Sequence, residues 1–212
     1  AVDVAAFLAR WREAGPAERA NKDSFLAELC DVLGVERPLP KTNDPEQDRY
    51  VFEKDVARSR EDRTSIGRID LFRAACFVLE AKQVDSAKRG TPAWEQAMND
   101  AHGQALGYAR SLPQAPPFVV VCDIGHCFDL YASFDGSGAY RPFPDAFKKR
   151  VFLKDLEQHL DTLRALWLDP LALDPSREQS KITREIAAKL AVLARELESS
   201  GQDPRRVAEF LM

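Results

Sequence analysis

The stretch GRIDLFRAACFVLEAKQ, residues 67–83, decides the fold. Its pattern predicts two short strands, at about 68–72 and 76–81, joined by a tight turn centred on Ala74. The second strand is apolar enough to lie inside a sheet, yet acidic and basic residues accompany the pair. Charged side chains are rarely buried unless they are paired, bound to a metal or catalytic. The hairpin is therefore the first candidate for a functional site.

Three charged residues of this hairpin form a chemically useful set. Side chains alternate along a strand, so Glu80 and Lys82 share the face of Val78. With the turn at Ala74, Asp70 lies opposite Val78 and diagonal to Glu80, at roughly 7–8 Å. Two carboxylates at that separation can hold one hard cation such as Mg²⁺, with the backbone carbonyl of Ala81 as a third ligand. Lys82 then stands where it can bind a phosphate or orient a water.

The purely structural alternative is an edge hairpin that carries a Glu–Lys pair on the protein surface. Against it, an acid followed two residues later by lysine occurs only once in the chain, at Glu80 and Lys82. It falls at the end of an apolar strand, ten residues after Asp70. Burial would make an idle set of three charges costly, and we therefore favour a functional role.

The remaining periodicity predicts an α/β fold with a mixed sheet flanked by helices. Apolar residues at helical or alternating spacing give helices at 3–14, 21–34, 94–110 and 154–167, and strands at 49–57, 118–123 and 126–134. Along the strand at 49–57, Tyr50, Phe52 and Lys54 are expected on one face, with Val51 and Glu53 on the other. Residues 58–67 are expected to form a polar loop.

The C-terminal part has a different pattern. Two Asp-Pro pairs mark a linker at 168–180, after a first domain at 1–167. The segment 181–212 is expected to be helical, and its apolar residues recur at helical spacing: Ile182, Ile186, Leu190, Leu193 and Leu197. A last helix from about Pro204 stops inside an apolar run, which indicates a truncated helical segment.

Composition excludes several classes of protein. The net charge is −4 and the pI about 5.5, which argues against a stand-alone nucleic-acid binder. No apolar run approaches the ~18 residues of a membrane span. Cys122, His126 and Cys127 cluster, but their spacing fits no common zinc site. The four cysteines, most of them in apolar runs and without a CxxC pair, indicate a reduced, cytoplasmic protein.

The set Asp70 … Glu80-x-Lys82 resembles the signature of the PD-(D/E)xK nuclease superfamily. Ile69 stands where many members have proline before the acid. Gln104 and Tyr108 match the Q-x-x-x-Y helix motif of RecB-like members and lie one helical turn apart. In that superfamily an acidic residue of an upstream helix often supports the metal. Glu28 matches this feature, and Asp31 is its rival.

The chain is also similar to the N-terminal region of MmeI-like restriction-modification enzymes. FLAELCDVLGV, IDLF … VLEAKQ, QALGY and FVVVCD stand in the order that this family shows. The resemblance implies a restriction-endonuclease-like fold and a type II, Mg²⁺-dependent endonuclease in which Mn²⁺ can substitute. It further implies double-stranded DNA as substrate, products with 5′-phosphates, and 181–212 as the start of a helical spacer.

Such enzymes carry an adenine methyltransferase and a target-recognition domain in the same chain. No N-P-P-[YF] motif and no glycine-rich S-adenosylmethionine loop occurs here, so S-adenosylmethionine would bind only elsewhere in a parent chain. Two alternatives stay open: an idle nuclease-like scaffold of a DNA methyltransferase, and a RecB-like nuclease acting on DNA ends. Linear against closed-circular DNA would separate the second from an endonuclease.

Overall fold

A computed structural model describes residues 3–13, 18–60, 63–82 and 88–199. Its helices are α1 (Val4–Glu13), α2 (Glu18–Leu33), α3 (Pro92–Ser111), α4 (Leu156–Leu168) and α5 (Pro175–Ser199). Its strands are β1 (Tyr50–Arg60), β2 (Arg63–Arg73), β3 (Phe77–Lys82), β4 (Phe118–Asp123), β5 (Cys127–Ala132), β6 (Arg141–Pro142) and β7 (Arg150–Phe152). Short 3₁₀ turns lie at Leu153–Asp155 and Pro170–Leu173.

The strands form one mixed sheet of seven, in the order β1-β2-β3-β4-β5-β6, with β7 also paired to β5. Among the named strands of the described ranges, β3 and β4 run parallel, and the other pairs are antiparallel. A parallel pair needs a long crossover, which α3 supplies. The predicted α/β fold, a mixed sheet flanked by helices with a C-terminal helical segment, is confirmed.

Two apolar clusters cover the two faces of the sheet. On one face α2 and α4 bury Phe25, Leu29 and Trp167 against the β3 residues Phe77 and Leu79. On the other, α3 packs through one stripe of its surface, with Trp94, Met98, Ala101 and Ala105 against Val78 of β3. Because β3 is covered on both sides, its first five residues are buried, and Lys82 at its end is partly exposed.

The start of helix α3 is stabilised by the residues at its N-terminus. Thr91 has extended backbone and its side chain accepts from the Trp94 N–H, while Pro92 takes the first helical position. Both are favourable helix-start residues. The predicted helix at 94–110 is therefore present and slightly longer.

The predicted loop at 58–67 is wrong, because most of it belongs to a long β1–β2 hairpin. Each strand has 11 residues, and the ladder continues from Val56↔Gly67 to Arg60↔Arg63. Backbone pairing needs no apolar side chains, so a polar edge ladder leaves no hydrophobic pattern in the sequence. The short strands β6 and β7 were not predicted, because runs of two and three residues are too short to show a periodic pattern.

The predicted linker at 168–180 also differs in part, since α5 starts at Pro175. Asp174 accepts from the backbone N–H and hydroxyl of Ser176, and Pro175 follows it at the first helical position. An Asp-Pro pair can thus start a helix as well as mark a loop. The chain divides into compact units at 173/174. The predicted domain limits and the helix from Pro204, which lies outside the described residues, stay predictions.

Within α5 the apolar stripe is exposed to solvent in the described part of the chain. Ile182 and Ile186 are 50% and 53% exposed, and Leu190 and Leu193 are 38% and 40% exposed. None of the helices in the described ranges is both long enough and apolar enough to span a bilayer.

Candidate active site

The register of the β2–β3 hairpin brings the two acids face to face. Leu71 pairs with Leu79 and Phe72 with Val78, so continuing the ladder places Asp70 opposite Glu80. The predicted partner, Val78, was wrong because the turn is centred on Ala75, whose φ of 60° is left-handed. Moving a turn centre by one residue moves each cross-strand partner by two.

Asp70 is held by two donors. Its Oδ2 accepts from the Ala81 backbone N–H at 2.8 Å, and its Oδ1 accepts from Lys22 Nζ at 2.7 Å. The side chain is 15% exposed. Asp70 is therefore tied to β3 on one side and to α2 on the other.

Glu80 is the more deeply buried carboxylate, 2% exposed. Its Oε1 accepts from Lys82 Nζ at 2.8 Å and from Gln104 Nε2 at 2.6 Å. Its buried Oε2 has no hydrogen-bond partner among the described residues. Burial, and then the charge of Asp70, raise the pKa of Glu80 to about 7, against the opposing effect of Lys82. A buried carboxylate with one unpaired oxygen is stabilised in its charged form by a cation that binds beside it.

Helix α3 adds two polar side chains to this cluster. Gln104 Nε2 also lies 3.1 Å from the hydroxyl of Tyr108, which is 4% exposed. The spacing of one helical turn places both on the face that packs on β3. The structure thus brings together five of the residues singled out from the sequence: Asp70, Glu80, Lys82, Gln104 and Tyr108.

Glu28, the predicted supporting acid, contacts α1, and its role at the metal stays a prediction. Its Oε1 accepts from Arg10 at 2.5 Å and its Oε2 from the indole N–H of Trp11 at 3.0 Å. Both oxygens therefore hold α1 to α2. The rival, Asp31, forms a two-bond ion pair with Arg37. The structure brings neither acid to the hairpin carboxylates.

Two further residues of the cluster, Glu53 and Lys22, were missed. Glu53 lies on β1 at the position opposite Asp70 in the β1–β2 register, and its φ is +49°. This left-handed residue reverses the expected alternation: Phe52 packs with one apolar cluster, and Lys54 lies over the ring of Phe72 in the other. Lys22 bonds both Glu53 and Asp70.

A second buried carboxylate, that of Asp123 at the end of β4, positions α3. Asp123 is fully buried and lies across the parallel ladder from Lys82. It accepts from Arg89 at 3.0 and 3.2 Å and from the indole N–H of Trp94 at 2.9 Å. The start of α3 is thereby fastened to the sheet, which sets where Gln104 lies along β3.

The donor set fits Mg²⁺ better than zinc. In the described ranges there is no group of three or more His, Cys, Asp or Glu side chains that could hold a metal ion. Mg²⁺, however, usually takes one or two protein carboxylates and completes its shell with waters and substrate phosphates. Asp70 and Glu80 provide two, and the partnerless Glu80 Oε2 is an oxygen that a hard cation would satisfy.

Comparison with known proteins places the chain in a family. Residues 1–200 match the family described as "MmeI, N-terminal domain". The chain therefore belongs to the family of MmeI N-terminal domains, as its sequence resemblance predicted, and this gives it a restriction-modification context. No match was found among curated proteins or among solved structures.

Proposed function

We propose that this chain is a Mg²⁺-dependent endonuclease domain that hydrolyses phosphodiester bonds of double-stranded DNA. The observation that carries the proposal is the buried Glu80, with one orphaned oxygen, opposite Asp70 and hydrogen-bonded to Lys82. Charges are kept in such a position only when a partner or a reaction uses them. Membership of the MmeI N-terminal family supports the same reading.

Each residue of the set has a distinct role in this proposal. Asp70 and Glu80 hold the metal, with the Ala81 carbonyl as a further ligand. Gln104 fixes the rotamer of Glu80 through its 2.6 Å hydrogen bond, and Tyr108 supports Gln104. The Lys82 side chain is 30% exposed, so its ammonium group, which donates to Glu80 Oε1 at 2.8 Å, can also meet a phosphate oxygen and the attacking water.

The reaction is a displacement at phosphorus. The oxygen of a water forms a bond to phosphorus as the bond to the 3′-oxygen breaks; one water proton passes to solvent and the leaving oxygen gains one. The products are a 5′-phosphate and a 3′-hydroxyl. Mg²⁺ supplies charge neutralisation and a more acidic water when it is bound. The Lys82 ammonium adds positive charge next to the pentacovalent phosphorane-like transition state.

The proposal extends to the partners of the domain. In a single-chain restriction-modification enzyme, DNA recognition and adenine methylation with S-adenosylmethionine would belong to other domains. The net charge of −4 is compatible with this division, because phosphate contacts supply most non-specific affinity and those contacts would be spread over the whole enzyme. Isolated, this chain should bind DNA weakly and lose binding steeply as salt is raised.

The deciding experiment combines Mn²⁺ calorimetry with nicking of supercoiled plasmid. Wild type is compared with Asp70→Asn, Glu80→Gln and Lys82→Ala, and with the matched surface control Asp161→Asn, whose side chain is 99% exposed. We expect both acid variants to lose Mn²⁺ binding, Lys82→Ala to keep it, and all three to lose nicking.

Other outcomes favour other functions. Mn²⁺ binding that survives in both acid variants would move the assignment to a nuclease-like scaffold domain. Cleavage of linear DNA with closed-circular DNA left intact would instead indicate an end-dependent nuclease. The control Asp161→Asn should behave as wild type in both assays.

A further inference from the structure

Lys22 reaches the candidate site from the side of the sheet opposite α3. Helix α2 packs in the cluster with Phe25 and Leu29, whereas α3 packs in the other cluster. The Lys22 ammonium nevertheless lies 2.7 Å from Asp70 Oδ1 and also bonds Glu53. Its side chain is only 13% exposed. Lys22 therefore supplies positive charge at a position between two carboxylates.

The backbone explains why a cation is required there. Glu53 and Asp70 occupy opposed positions on β1 and β2, and the left-handed backbone of Glu53 turns it out of the normal alternation. Both carboxylates then converge on the Lys22 ammonium. Asp70 is 15% exposed and Glu53 38% exposed, and without a cation between them the two like charges would repel. Lys22 neutralises that repulsion.

We propose that Lys22 is an internal counter-ion that competes with the divalent metal for Asp70, while Glu53 helps to hold Lys22 in place. This inference rests on the proposed function, since it assumes that Asp70 binds the metal. Asp70 Oδ2 already accepts from the Ala81 N–H. A metal ion at Asp70 would share Oδ1 with Lys22 or share Oδ2 with the Ala81 N–H, and on either oxygen it would lie within a few ångströms of the Lys22 ammonium.

Simultaneous occupancy is unfavourable for a simple electrostatic reason. Mg²⁺–oxygen distances are about 2.0–2.1 Å, and Lys22 Nζ lies 2.7 Å from the same Oδ1. Two cations on one oxygen would lie within a few ångströms of each other and repel. Metal entry therefore requires Lys22 to withdraw, and Lys22 lowers the affinity of the metal-free protein for the ion.

The test measures Mn²⁺ affinity by calorimetry, without any cleavage assay. Removing the competing charge in Lys22→Met should tighten Mn²⁺ binding by about tenfold. Lys22→Arg keeps the positive charge and should bind no more tightly than wild type. Lys149→Met is the matched control, because Lys149 is also largely buried, at 24% exposed, but pairs with Asp129; its affinity should equal that of wild type.

Thermal unfolding gives a second, independent readout. With chelator present, Lys22→Met should unfold at a lower temperature than wild type, because Asp70 and Glu53 are left without their shared cation. Adding Mn²⁺ should raise its midpoint more than it raises that of wild type. Lys22→Gln repeats the measurement if the methionine variant does not fold.

The outcomes separate this inference from the function on which it rests. Wild type that binds Mn²⁺, together with Lys22→Met or Lys22→Gln that binds no more tightly, overturns the counter-ion role and leaves the metal site standing. No Mn²⁺ binding in wild type or any variant overturns both. Loss of binding in Asp70→Asn, with tightening in Lys22→Met, supports competition at this carboxylate.

Discussion

Replacing Glu80 with glutamine should stabilise the metal-free protein above neutral pH while it removes the proposed metal ligand. Glutamine has nearly the same shape and keeps an oxygen that can accept from Lys82 and Gln104, as Glu80 Oε1 does now. What it removes is a charge in a position that is 2% exposed. Desolvation of that charge is a cost that the folded protein bears and the unfolded chain does not.

The magnitude follows from the pKa of Glu80, which is raised from 4.5 to about 7. Each pKa unit corresponds to about 1.4 kcal/mol, so full ionisation at pH 8 costs the folded state at most about 3 kcal/mol. Relaxation around the site reduces this, and we expect a gain of roughly 1–2 kcal/mol for Glu80→Gln. For a domain of this size that is a rise of about 2–8 °C in the unfolding midpoint.

The pH dependence has a definite sign. Because the pKa of Glu80 is higher in the folded than in the unfolded state, the folded state holds this proton more tightly, and the contribution of Glu80 to wild-type stability falls as pH rises from about 4.5 to 7. Glu80→Gln should lack this fall. Urea unfolding in chelator at pH 5, 6.5 and 8 measures both effects.

Glu95→Gln is the matched control with the opposite sign. Its ion pair with Arg150, 2.6 Å long, lowers the pKa of Glu95, so this variant should be less stable than wild type at neutral pH. A Glu80→Gln protein less stable than wild type at pH 8, or a stability difference between the variant and wild type that does not grow from pH 5 to 8, would refute the reasoning about Glu80.

Two more predictions concern the scaffold around the site. Gly125→Ala should destabilise the protein by about 2–4 kcal/mol, because φ at Gly125 is +75° and the new Cβ would lie 2.6 Å from the Trp11 carbonyl oxygen. The control Gly136→Ala has a similar φ of +71° but open space around the new Cβ, and should cost less in the same urea titration. Burial lowers the pKa of His102 to about 4. As pH falls, this imidazole is protonated in the unfolded chain before it is protonated in the folded protein, so the free energy of unfolding decreases below about pH 6.5. His102→Phe keeps the stack on Tyr131 and should lose about 1 kcal/mol less than wild type between pH 7 and 5, after allowance for partial exposure; equal losses would contradict this.

The fold could be predicted as far as hydrophobic pattern carries information. Continuous apolar runs gave β3 and β4, and helical spacing gave α3. The β1–β2 extension carries polar residues on a backbone ladder and left no such pattern. An Asp-Pro pair such as Asp174 and Pro175 is compatible with a loop and with the start of a helix, and the sequence alone does not distinguish the two.

The candidate site could be predicted where its residues are local in sequence. The Asp70 … Glu80-x-Lys82 spacing and the Gln104–Tyr108 pair needed only strand and helix periods. The exact pairing of Asp70 depended on a turn without glycine, where Ala75 adopts a left-handed backbone that the sequence does not signal.

Residues that depend on long-range packing were beyond sequence reasoning. Lys22 comes from a helix far upstream. Glu53 faces Lys22 because Glu53 itself, although not a glycine, has a left-handed φ. Glu28 had the expected type and helix, but the indole N–H of Trp11 and the guanidinium of Arg10 engage it instead. Helix geometry alone cannot say which of several acids on α2 faces the sheet edge.

The hairpin and the crossover helix have a consequence for how the sequence can vary. The proposed catalytic side chains, with their supports on α3, lie between positions 70 and 108, whereas β6 and β7 lie beyond position 140. These two strands pair with β5, at the edge of the sheet away from the β2–β3 hairpin. Sequence change at that edge can accumulate while the spacing of the carboxylates is kept.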